Sequence, residues 1–158
     1  MAVLREAFER LGFRNVKTVL ASGNVLFETD STDESSLERR IENGVPSAIG
    51  FENHVIVRTI DDLYKLWRRN PFERTEVTPH SRPYVTFVKE QKTELSFPVV
   101  GRGYTILGLF DGVVGSVVDL ASPKTPDLMR VLDREFGDDV TTGSWKTIEK
   151  VLEASGDE

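Results

Sequence analysis

Apolar residues first recur at helical spacing. Leu4, Ala7, Phe8 and Leu11 share one face of a 3.6-residue period, and Gly12 follows where a left-handed residue ends a helix. Val16 to Leu20 and Val25 to Phe27 then read as strands, and Ser22-Gly23-Asn24 supplies turn chemistry between them. So short a connection predicts an antiparallel hairpin. Leu37, Ile41 and Val45 form a buried helical stripe after the polar run Ser31 to Ser36, and Asn43, Gly44 and Pro46 bend, break or end that helix. Val55, Ile56 and Val57 resemble a third strand. Thr59 and Asp62 have capping-box spacing and introduce a helix with Leu63, Leu66 and Trp67 inward, stopped by Asn70-Pro71.

The second half turns to strand periodicity. After a polar connection over 73–82, Pro83 to Val88 alternates, with Tyr84, Thr86 and Val88 on one face and Val85 and Phe87 on the other. Residues 90–96 read as loop. Tyr104 to Phe110 and Val113 to Val118 flank Asp111-Gly112, a strong short-turn signal because both positions tolerate positive φ. Gly108 and Gly115 interrupt the two arms and predict bulges or close backbone contacts. Thr125 and Pro126 introduce a helix with Leu128, Val131, Leu132 and Phe136 inward, ended by Gly137. Val140 to Thr142 is a candidate short strand. A last helix begins near Ser144, buries Trp145, Ile148, Val151 and Leu152, and frays beyond Ala154.

This succession predicts an α+β protein of helix-covered antiparallel sheets, arranged as two lobes, 1–57 and 58–158, in one compact unit. A chain of 158 residues is long enough for a real core. No apolar run reaches the roughly 20 residues that span a bilayer, and the N-terminus lacks the pattern of a signal peptide. Absence of cysteine excludes disulfides and thiolate metal sites and suits a cytoplasmic location.

The net charge of −6 is uneven. Residues 1–57 carry 6 basic and 9 acidic side chains, residues 58–92 carry 8 and 5, and residues 93–158 carry 6 and 12. The basic middle is densest at Arg68, Arg69, Arg74 and Arg82. Arg68 and Arg69 close a helix, where cations already favour the dipole, so general nucleic-acid binding is not expected.

Catalytic signals are thin. His54 and His80 belong to no metal spacing, and Asp138-Asp139 reads as a solvated turn. Gly101-Arg102-Gly103 is too short for a phosphate or dinucleotide fingerprint. Two polar loops remain. Ser22, Gly23 and Asn24 fill the first turn with hydrogen-bonding groups. Thr141, Thr142 and Ser144, just before Trp145, put hydroxyls at a helix start, where backbone N–H groups can hold an anion. Each loop also has a purely structural reading, with Ser144 as a cap and Trp145 in the core.

Several motifs in order carry a family resemblance: Leu4-Arg5-Glu6 through Leu11-Gly12-Phe13, Ala21-Ser22-Gly23-Asn24-Val25, Val57-Arg58-Thr59, Asn70-Pro71-Phe72, Val85-Thr86-Phe87 and Thr141-Thr142-Gly143-Ser144-Trp145. Together they resemble the DUF1697 family of uncharacterised, mainly bacterial proteins. The resemblance implies two ferredoxin-like subdomains and supplies no established reaction, substrate or catalytic constellation, and the cofactor is unknown. Family members usually begin with a strand before the first helix; this chain begins at the helix, so the first sheet is expected to lack its initial strand. An exposed edge of that kind favours a homodimer. Ala21 stands where a glutamine is common, and Gly143 and Ser144 where arginine and asparagine are common, which weakens an inherited anion site. The expectation is a binding or regulatory module for a small anionic molecule at the two loops. The alternative is an enzyme acting on a phosphorylated or nucleotide-like small molecule, which needs a pocket joining them.

Overall fold

A computed structural model describes residues 2–19, 24–31, 33–45, 55–75, 78–89, 93, 95–121, 128–137 and 140–156. Among them are five helices and two antiparallel sheets, an α+β fold. The chain divides into two compact units, Met1–Tyr64 with Glu149–Glu158, and Lys65–Ile148.

The first unit opens with α1 (Ala2–Arg10), whose Leu4, Ala7 and Phe8 are buried as the periodicity predicts. The strands β1 (Arg14–Val19) and β2 (Asn24–Glu28) pair antiparallel, with Lys17 opposite Leu26 and Val19 opposite Asn24. A register shift between Arg14 and Lys17 marks a bulge, and Asn15 sits there at φ 48. Asparagine is one of the few non-glycine residues that takes this region readily. Helix α2 (Glu34–Gly44) is capped by Asp33, which accepts the Ser36 N–H, and it buries Leu37 and Ile41. It ends at Gly44, where the Val45 N–H donates to the Ile41 carbonyl, one of the outcomes expected of that composition. A Cβ at Gly44 would run into the Leu11 side chain, so this end of α2 lies against Leu11 only because the residue has none. Phe8, Phe13 and Phe27 form the aromatic centre of the unit, with Phe13 and Phe27 centroids 4.4 Å apart. Arg40 lies over the Phe13 ring and donates to the Leu11 carbonyl.

The third strand expected at Val55 to Val57 does not form: residues 55–59 enter neither sheet. The apolar side chains behave as the pattern requires, since Val55 is buried and Val57 packs on the same core as Phe8 and Ile41. The backbone differs. The Val57 N–H donates to Glu38 Oε2 at 2.8 Å, so a side chain on α2 takes the bond a neighbouring strand would otherwise receive. Thr59 then caps α3 (Ile60–Arg69), accepting the Asp62 N–H at 3.0 Å.

The second unit is built on one sheet in the order β4 (Val99–Gly101), β5 (Tyr104–Leu109), β6 (Val113–Asp119), β3 (Ser81–Val88), β7 (Val140–Ser144). Every pair is antiparallel. The order β5-β6-β3-β7 is compatible with a ferredoxin-like sheet. The helix that pattern would place between β3 and β5 is not among the described residues, and β4 occupies part of that connection. Strand β4 was not expected: it is short, follows Pro98, ends on Gly101, and gains its identity by pairing Val99 with Ile106. Asp111 (φ 49) and Gly112 (φ 81) turn β5 into β6 with both φ angles positive, as their chemistry predicts. The expected irregularity at Gly108 appears as a register shift between Ile106 and Gly108.

One face of this sheet presents Val88, Ile106 and Val114 to Leu128, Leu132 and Phe136 of α4 (Leu128–Phe136). Thr125 and Pro126, its predicted start, lie outside the described residues, as do His54 and Asp138-Asp139. The last helix is α5 (Trp145–Gly156), with Ile148, Val151 and Leu152 buried. It runs two residues past Ala154, where fraying was expected to begin.

Candidate functional site

The residues singled out from sequence have distinct surroundings. Ser22 and Gly23 lie outside the described residues, and Asn24 opens β2. Thr141, Thr142, Gly143 and Ser144 form β7, and Trp145 is the first residue of α5. Thr142 Oγ1 shares a hydrogen bond of 2.8 Å with Thr86 Oγ1 in the sheet. Ser144 Oγ accepts the Thr147 N–H at 3.2 Å, the geometry of a helix cap. Trp145 stacks on Trp67 with centroids 4.9 Å apart and planes inclined by 15°, and Phe72 meets its edge. An aromatic pair of this kind contributes about 0.5–1.5 kcal/mol beyond burial. Arg69, from the basic stretch, lies over Phe110 and reaches Asp111 at 3.4 Å.

A concave site occurs within the first unit. It has a volume of about 620 Å³ and is lined by Asn15, Val16, Lys17, Leu26, Phe27 and Glu28 of the hairpin, Ile60 at the start of α3, and Ala154 and Ser155 in the last turn of α5. That volume suits a small ligand. Strand alternation determines its chemistry. Val16 and Phe27 send their side chains to the aromatic core, so Lys17, Leu26 and Glu28 face the other way. Lys17 Nζ donates to the Ala154 carbonyl at 3.5 Å. Asn15, on the bulge, donates its side-chain amide to Glu28 Oε2 at 2.7 Å. Bulges re-aim side chains, and this one turns an amide onto a carboxylate. Ser155 Oγ donates to Leu152 O at 2.8 Å and so closes the helix end.

Sequence reasoning missed this cleft. Asn15, Lys17 and Glu28 belong to no motif along the hairpin. The available signal was Asn15, an asparagine within a strand pattern, which points to a bulge.

A second polar group in the unit supports the fold. Glu38 and Arg58 approach to 3.8 Å with side chains 8% and 16% exposed. Burial pushes the Glu34 carboxyl up; Asp62 and Glu38 add to the rise, while Arg58 and the Thr59 backbone oppose it. Its Oε2 is buried without a hydrogen-bond partner among the described residues. On the surface, the Arg14 guanidinium hydrogen-bonded to Asp30 holds that carboxyl below its ordinary range. No cluster of three or more His, Asp or Glu side chains that could hold a metal occurs among the described residues. No described helix is long and apolar enough to cross a membrane.

Searches of curated proteins and of solved structures found no match. The profile of the family described as "Protein of unknown function (DUF1697)" matches residues 1–100, which contain α1, β1, β2, α2, α3 and β3 entire. By that match, the chain belongs to the DUF1697 family.

Proposed function

We propose that the protein is a binding module for a small molecule carrying an anionic group, and that the cleft of the first unit is its site. The observation that carries this reading is Lys17, whose ammonium stands at a concave site of about 620 Å³ flanked by Leu26 and Ile60. An ammonium has three N–H donors, and one from Lys17 already meets the Ala154 carbonyl. Residues 22–24 and the Thr141–Trp145 segment are two further places for the same chemistry. A cytoplasmic setting, which a chain without cysteine suits, belongs to the same proposal.

The test is a titration of the isotope-labelled chain with inorganic phosphate and with caproate, followed by amide shifts. Saturable shifts at Asn15, Lys17, Leu26 and Ser155, abolished in Lys17→Met while the spectrum stays dispersed, support the reading. Shifts confined to 141–145 would move the site to the second segment. Absence of saturable shifts in either place overturns it.

Self-association is a second proposal. Among the described residues, β2 pairs only with β1, and a two-stranded sheet of this kind can gain a strand from a second copy. Light scattering that finds a monomer over a hundredfold concentration range would reject it.

A further inference from the structure

The cleft presents two opposite charges on one sheet face. Lys17 pairs with Leu26, and Glu28 lies two residues beyond Leu26 on the same strand and face. Lys17 and Glu28 therefore share one face, with the bulge lying between their paired positions. Leu26 and Ile60 supply apolar surface in the same cleft.

The negative end has a built support. Asn15 takes a left-handed backbone conformation within a strand, and its side chain then holds Glu28 Oε2 at 2.7 Å. That bond takes one of roughly four acceptor positions on the carboxylate, leaving capacity for a cationic donor. The α5 carbonyl end lies against the positive end instead, where Ala154 O, in its last turn, accepts from the Lys17 ammonium. A ligand bearing only an anion would meet Lys17 favourably and Glu28 unfavourably. A ligand bearing only a cation would meet the reverse.

We infer that the cleft takes a zwitterionic ligand of the amino-acid type, with its carboxylate or phosphate on Lys17 and its amine on Glu28, and that Glu28 determines this specificity. The inference rests on the binding-module reading and adds the cationic half of the ligand.

The experiment compares ε-aminocaproate, caproate and hexylamine, each titrated into the labelled full chain at low salt. The zwitterion is expected to bind at least about tenfold more tightly than either singly charged probe, and to shift the amides of Asn15, Lys17, Leu26 and Glu28. In Glu28→Gln, which keeps the shape and the Asn15 contact, ε-aminocaproate should fall to the level of caproate, while caproate binds as well as before or better. Equal affinity of caproate and ε-aminocaproate for the unaltered chain overturns the inference and leaves the anion site standing. An unchanged preference in Glu28→Gln also overturns it. If no probe shifts the cleft, the underlying reading fails and this one with it.

Discussion

Glu38 accepts the backbone N–H of Val57 at 2.8 Å from the middle of α2, and the same carboxylate lies 3.8 Å from Arg58. A helix side chain thus stands in for a neighbouring strand. It satisfies one backbone group of an extended segment whose apolar side chains are already committed to the core.

Removing that carboxylate should be expensive. Glu38→Ala orphans the Val57 N–H and removes the carboxylate 3.8 Å from Arg58, so a loss of about 1–3 kcal/mol is expected in urea unfolding. Glu38→Gln keeps an acceptor oxygen and should lose less. A Glu38→Ala variant within about 1 kcal/mol of the parent would show that the bond contributes little.

Glu34 makes a prediction about pH. Its carboxyl is raised from an ordinary 4.5 chiefly by burial, so the folded chain binds that proton more tightly than the unfolded chain. Its contribution is therefore most favourable below 4.5 and is lost as pH rises through the folded value. Glu34→Gln lacks this titration. The stability of the parent relative to Glu34→Gln should fall as pH is raised from the acid side of that window. A difference that is flat with pH, or of opposite slope, contradicts the assigned burial.

Ser116 is wholly buried, and its hydroxyl has no hydrogen-bond partner among the described residues. Replacing it by alanine removes a desolvated polar atom at the cost of little volume. Ser116→Ala should be neutral or stabilising by about 1 kcal/mol. Thr86→Val, in contrast, strips the Thr142 hydroxyl of its partner in the same sheet and should destabilise by a similar amount. Thermal unfolding of both variants checks the pair, and a destabilised Ser116→Ala would reveal a bond to that hydroxyl.

At Gly44 two effects oppose each other. Alanine gains about 1 kcal/mol of intrinsic helix propensity. Its Cβ collides with Leu11, and overpacking of this kind costs about 1–3 kcal/mol. Gly44→Ala should therefore destabilise, and Leu11→Ala in the same chain should relieve the collision in a double-mutant cycle. Gain of stability in the single variant would mean that Leu11 moves aside freely.

Nucleic acid is not expected to bind tightly at moderate salt. Arg69 is engaged by Phe110 and Asp111, and the chain as a whole carries −6. A titration with submicromolar, salt-sensitive affinity that weakens in Arg68→Ala/Arg69→Ala with the fold intact would reverse this expectation.

The sequence by itself determined the elements whose signals are local. Leu4, Ala7 and Phe8 specified α1, Thr59 and Asp62 specified the start of α3, and Asp111-Gly112 specified the β5–β6 turn, because each depends on side-chain periodicity or on the φ angles a residue tolerates. Tertiary structure decided what backbone hydrogen bonding leaves open. Val55 to Val57 has the composition of a strand, yet its partner is a carboxylate 19 residues earlier, and β4 exists only because Val99 meets Ile106. The cleft belongs to the same class. A bulge and a helix end nearly 140 positions away bring the exposed Asn15, Lys17 and Glu28 around one concavity, and no local pattern encodes that meeting.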